Sequence, residues 1–348
     1  MRREQAYYPA IDWLRLAAAL AVLAYHLGWS TAAPGGETRL LVGGGFEVPG
    51  REGIWRHLWV GVPVFFVISG FVIAGSAEGG GAAHFLRRRI ERLYPAIFVC
   101  APLSALIWAM AGRSPLRDLG LLAKSLLLLP GAAWIEPPYW TLGVEIAFYA
   151  WVVLLLLVVG ERGLKPGAIA MVLASAILWA GYLVHGSAPA PVWIRPVYWG
   201  MDFALGLLLY FARAGRLGGW GAAAAVAAGA TGALQAMQLF HAQWTSFVPV
   251  VIWLGGVAVV GLAPRRRSSR DHPASRLAGL TTYPLYLLHY ALGLGAMSLL
   301  VRAGAPPLAA MAAAGALAVA LAVAVALYAE PAARRLLKLG LDRFGFPR

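Results

Sequence analysis

The chain has 348 residues, 60% of them hydrophobic and 13% charged, with a mean hydropathy of +0.70, whereas soluble domains are about half apolar and a quarter charged. That balance excludes a water-soluble fold. The net charge of +14 points to Lys and Arg held in the cytoplasmic loops of a membrane protein rather than to a nucleic-acid partner.

A lone cysteine, Cys100, sits in an apolar run, so no intrachain disulfide and no Cys-based redox pair or metal cluster can be built. No metal and no permanently bound cofactor are expected. A spanning helix needs about 20 mostly apolar residues. Ten segments qualify: 10–32, 57–77, 94–112, 139–160, 166–186, 197–213, 219–239, 245–263, 280–301 and 306–329. The expected fold is therefore all-α, a polytopic bundle of about ten spans forming one domain over 1–348 with no appended soluble domain.

The first span reads IDWLRLAAALAVLAYH and carries Asp12, Arg15 and His26. Ionisable residues inside a span cost about 2.5–3.5 kcal/mol each at its centre, which makes them functional suspects. Asp12 stands one turn before Arg15, where an ion pair forms; the same pair also reads as an interfacial anchor. Arg15 and His26 are separated by about three turns, or ~16 Å, on one face. A glycine-rich loop from 34 to 56 follows.

The second span contains Ser69 and Gly70; such a small pair reads first as tight helix packing and second as room for a ligand. FLRRRIERLYP comes next, with Arg88, Arg89 and Arg92 at the head of the third span. Arginines there anchor the cytoplasmic face, and in groups they also suit phosphates through bidentate hydrogen bonds. The stretch 119–129 is too short to cross and is expected at the interface.

The fourth span opens PPYWTLGVEIAFY, with Trp140, Thr141, Glu145 and Tyr149. Glu145 and His26 lie at similar depth if the two spans run antiparallel, so the carboxylate is expected to orient the imidazole as a general base. Asp202 in the sixth span reads equally as packing or site. So does His289 in TTYPLYLLHYAL of the ninth. Ala-rich runs at 222–233 and 309–326 suit close helix packing. No internal repeat is discernible, which counts against a transporter built from paired halves.

With ten spans and a cytoplasmic N-terminus, basic residues fall in alternate connections, twenty on the cytoplasmic side against eight outside, so both termini are expected inside. There is no phosphate-binding glycine loop, no HExxH and no GxSxG, which leaves those nucleotide, zinc-peptidase and hydrolase mechanisms without their residues.

Taken in order, these segments resemble acyltransferase family 3 of integral membrane O-acyltransferases. The motifs are Asp12, Leu14, Arg15 and His26; FFVISGFVI at 65–73; Arg89 and Arg92 before Tyr94 and Pro95; Trp140, Thr141, Leu142 and Glu145; and Tyr283, Leu285, Tyr286 and His289. The chain departs from the pattern at Ile146, where a second Glu is common, and at Trp13, where Gly is usual. The resemblance implies transfer of an acetyl or short acyl group from cytoplasmic acyl-CoA to a hydroxyl of a carbohydrate or lipid-linked sugar in the bacterial inner membrane. Catalysis would fall to His26, Glu145 and Arg15, with Asp12, Ser69, Arg88, Arg89, Arg92, Trp140, Thr141, Tyr149, Tyr286 and His289 as substrate-binding residues. Membrane lipids are the remaining partner. The rival reading is a transporter with Glu145, His26 and Asp202 as a proton relay.

Overall fold

The computed structural model describes residues 7–32, 34–129, 133–185, 194–238, 247–266 and 272–343. Arg2, Arg3, Arg267, Arg270 and Arg348, which entered the cytoplasmic count, and the predicted span ends 186, 239 and 245–246 lie outside these residues. All regular structure in the described residues is helical, apart from an isolated bridge between Tyr7 and Arg266.

In chain order the α-helices are α1 (Pro9–Gly28), α2 (Thr38–Val42), α3 (Gly61–Ala77), α4 (Gly81–Met110), α5 (Pro115–Leu126), α6 (Trp140–Val158) and α7 (Leu164–His185). After them come α8 (Arg195–Tyr198), α9 (Gly200–Arg213), α10 (Gly218–Gln238), α11 (Val248–Leu262), α12 (Pro273–Arg302), α13 (Pro307–Ala324) and α14 (Glu330–Arg343). Each of the ten predicted segments overlaps one of the longer helices, and among the described residues seven are long and apolar enough to cross a membrane. The protein is thus an all-α polytopic membrane protein. Helices α9 and α11, of 14 and 15 residues, rise only about 21–23 Å, less than a ~30 Å hydrocarbon core.

Local sequence sets the helix ends. Prolines stand in the first turns of α1, α5, α12 and α13, where the missing N–H would have had no helical partner. Gly112 after α4 and Gly304 after α12 take φ of 90° and 92°. The next N–H then reaches back five residues, from Arg113 to the Trp108 carbonyl and from Ala305 to that of Leu300, which closes the helix.

Packing centres on α12, which contacts α1, α4 and α13 and is buried on every side from Thr281 to Ala291, as a helix in the middle of a bundle must be. A second contact joins α3 to α9 through Gly70 and Gly206. A Cβ on Gly70 would strike the Phe203 carbonyl oxygen, and one on Gly206 the Val67 carbonyl oxygen. The packing reading of the small pair is therefore the one realised at Gly70.

Two helices extend beyond their expected bounds. α4 begins at Gly81 rather than 94, so the arginine run is helical and continuous with the span. The stretch from 330, expected as a cytoplasmic tail, is α14, joined to α13 by a π-turn over Val325–Ala329. α14 packs on α4, where Arg87 bonds Glu91 and Asp342 at 2.8 Å each and Lys338 lies 3.5 Å from Glu91. The interfacial stretch at 119–129 is the C-terminal part of α5, 12 residues long and about 18 Å in rise, too short to cross.

Candidate active site

A cleft of about 450 Å³ opens where α4 begins and α14 crosses it, within the ~300–1,000 Å³ usual for ligand sites. It gathers residues from α1, α3, α4, α6, α12 and α14. Arg15, Ser69, Arg88, Arg89, Arg92, Thr141, Glu145, Tyr149 and Tyr286 all line it, so nine of the thirteen expected site residues share one cleft. Six cations face it against two carboxylates, Glu91 and Glu145. That excess suits a ligand with several negative charges.

The cations are positioned in different ways. Arg15 donates to Asp12 at 3.0 Å, which confirms the ion pair one turn apart and places Asp12 behind the arginine rather than on the cleft wall. Arg15 also lies within electrostatic reach of Arg92 and Glu145. Arg89 donates to Ser76 at 3.1 Å and lies over the rings of Phe85 and Tyr149. The Arg92 guanidinium sits 5.4 Å from the Tyr283 ring centroid. Stacking of this kind holds the planar head while leaving N–H groups for a ligand. Arg87, by contrast, is spent on Glu91 and Asp342.

Arg334 and Lys338 of α14 also line the cleft, and the sequence reading missed both. Their spacing of four is the available signal: it puts both cations on one helical face, and the stretch bears Leu336 and Leu339 at 72% and 61% exposure on another. The departures from the family pattern are benign in place, since Trp13 is half exposed and absent, like Ile146, from the cleft lining.

Glu145 does not orient His26 as expected. Its Oε1 accepts from Ser69 at 3.0 Å and from Tyr149 at 2.5 Å, because α3 and α6 pack side by side there. The partner of His26 is His289, whose Nε2 stands 3.0 Å from His26 Nδ1. His289 Nδ1 lies 2.8 Å from the Tyr286 carbonyl oxygen. A carbonyl only accepts, so His289 Nδ1 carries the proton; in the neutral ring Nε2 then accepts from His26 Nδ1–H. The chain of bonds leaves the lone pair of His26 on Nε2, the form a general base needs.

The pair lies behind the inner wall of the cleft, which Tyr286 and Thr141 close with a hydroxyl contact of 2.7 Å. Tyr286 lies against His289 with ring centroids 5.5 Å apart. Trp140 turns the other way, toward a second cavity at the far end of α1, and packs on Trp199. Asp202 is buried between α9 and α11 and accepts from Trp253 Nε1 at 2.9 Å. It lines neither cavity, and its bonded partner belongs to the α9–α11 packing.

Comparison with known proteins shows the family. A family described as an acyltransferase domain matches residues 8–329. A peptidoglycan O-acetyltransferase, OatA, of Listeria monocytogenes is 33% identical over 105 residues, a match covering 28% of this chain and 13% of that protein's length. No solved structure matches. With the family match running from α1 through the π-turn after α13, the chain belongs to acyltransferase family 3.

Proposed function

We propose that this protein is a membrane O-acyltransferase that moves an acetyl or other short acyl group from cytoplasmic acyl-CoA to a hydroxyl of a carbohydrate or lipid-linked sugar. In this reading it sits in a bacterial inner membrane with both termini in the cytoplasm. The observation that supports it best is the sequence of parts along one axis: a cation-lined cleft, its aromatic inner wall, and behind that wall a histidine whose partner leaves Nε2 unprotonated. The relative's name supplies the acetyl group and the glycan class of acceptor.

The phosphates of the donor fall to Arg88, Arg89, Arg92, Arg334 and Lys338, and the pantetheine arm runs between α3, α6 and α12 toward Tyr286. Arg15 adds positive charge deep in the cleft. His26 Nε2 takes the proton of the acceptor hydroxyl as its oxygen attacks the thioester carbon. The oxyanion so formed collapses, the C–S bond breaks, and the thiolate leaves with the proton from His26, giving free CoA and an O-acyl ester. His289 acts as the positioning residue for this step, while Glu145, held by Ser69 and Tyr149, balances Arg15 and Arg92.

The test is release of free thiol from acetyl-CoA by purified protein in nanodiscs, with His26→Ala beside wild type. Wild type is expected to bind and consume the donor, and the variant to bind it without turnover. Absence of both binding and consumption across acetyl and longer acyl donors would overturn the enzyme reading and leave transport to be assayed.

A further inference from the structure

The second cavity, of about 560 Å³, lies at the opposite end of α1 from the cleft and is bounded by the 35–38 turn, α5 and the start of α6. Its lining combines the rings of Trp134, Trp140 and Tyr290 with three arginines. Aromatic faces beside polar groups suit a pyranose, which offers an apolar C–H face and a rim of hydroxyls.

The charges in this cavity cancel except for one. Arg113 pairs with Asp118 and lies 3.6 Å from Glu37; Arg117 lies 2.7 Å from the same Glu37. Two cations thus meet two carboxylates. Arg195 rests over the Trp140 ring at 6.0 Å, and no carboxylate stands within ion-pair distance of it among the described residues. An exposed guanidinium on an aromatic platform is a receptor for one anionic group.

One residue of the lining, Tyr290, links the cavity to His26. Tyr290 donates to or accepts from Thr38 Oγ1 at 2.8 Å, and lies edge-on to His26 with centroids 4.9 Å apart. A hydroxyl arriving here approaches His26 from the side opposite the cation-lined cleft.

Resting on the acyl-transfer reading, we infer that this cavity is the acceptor site and that its ligand is a sugar carrying a single anionic substituent, a carboxylate or a phosphate, held by Arg195. The Thr38–Tyr290 hydrogen bond marks the boundary the acceptor hydroxyl passes to meet His26.

The test is saturation-transfer NMR on the whole protein in nanodiscs with three probes: a uronic-acid trisaccharide, a sugar monophosphate and a neutral trisaccharide. Wild type is expected to bind an acidic probe about tenfold more tightly than the neutral one, the size of one charge-assisted hydrogen bond. Arg195→Gln should erase that preference, and Trp134→Ala should weaken all three probes. Acetyl-CoA binding by the same variants checks that they are folded. The two acidic probes separate carboxylate from phosphate. Equal binding of acidic and neutral probes, or a preference that survives Arg195→Gln, overturns the inference. If acetyl-CoA is consumed normally in that case, the acyl-transfer reading stands without it; if the donor is never bound, the acyl-transfer reading fails separately.

Discussion

His289 Nε2 and His26 Nδ1 stand 3.0 Å apart across the α1–α12 contact, and the Tyr286 carbonyl at the far nitrogen of His289 fixes which atom of each ring carries hydrogen. Two neutral imidazoles so linked form a directed chain, in which the second ring governs the basicity of the first through a hydrogen bond and not through a charge. This differs from a carboxylate–imidazole pair, which would stabilise the imidazolium by a full negative charge.

From that chain, His26→Ala should lower acyl transfer by about 10²–10⁴-fold, the range of a general base, with donor affinity retained. His289→Ala should lower kcat by at least about tenfold, because the His26 tautomer is no longer set. His289→Gln should recover part of the loss, since an amide oxygen can accept from His26 Nδ1–H. Steady-state kinetics on the three variants decide it. Full activity in His289→Ala would show that the pair is packing only.

Glu145 Oε1 receives both Ser69 and Tyr149, and an intramolecular hydrogen bond contributes about 0.5–1.5 kcal/mol net. Ser69→Ala and Tyr149→Phe should each lower thermal stability in detergent. The double variant should depart from the sum of the singles, because the two donors share one acceptor atom. Strict additivity would indicate that only one of the bonds forms in solution.

Gly70→Ala and Gly206→Ala each drive a methyl group into a facing backbone carbonyl, and overpacking of this kind costs about 1–3 kcal/mol. Gly229→Ala in α10 meets nothing within 4 Å and gains helix propensity of up to ~1 kcal/mol. Thermal unfolding should rank the first two well below wild type and the third level with it or above.

Much of the cleft was legible because its residues are costly to bury. Arg15 and Glu145 interrupt apolar runs, and a charge in a span demands a purpose; Arg88, Arg89 and Arg92 stand out as a cationic group at a span head. Helix positions were legible for the same reason of length and apolarity. The pairing was not: equal depth in two spans places Glu145 and His26 in one layer, but azimuth around each helix decides who meets whom. Azimuth depends on the Gly70–Gly206 contact that draws α3 against α9, and on the approach of α12 to α1, where Gly279 faces Asp12. Those contacts are non-local and leave no period in the chain. Asp202 shows the converse, an acid in a span that meets one indole through Oδ1 and lines neither cavity.

The role of α14 is the prediction furthest from what the sequence suggested. Lys338 is half exposed, lies 3.5 Å from Glu91 and faces the cleft; the buried Arg87 and its bonds to Glu91 and Asp342 hold the helix there. If α14 contributes to phosphate binding, Lys338→Ala should weaken CoA binding about three- to tenfold, the yield of one partly screened charge contact at ~0.7–1.4 kcal/mol. The loss should shrink at high salt, because exposed charges are screened beyond a Debye length of about 8–10 Å near physiological ionic strength. Dephospho-CoA, with fewer negative charges, should show a smaller difference between wild type and variant. Titration calorimetry in nanodiscs with both ligands at two salt concentrations reads all three effects. An unchanged affinity would assign α14 a structural latch on α4 alone and leave the donor phosphates to Arg88, Arg89 and Arg92.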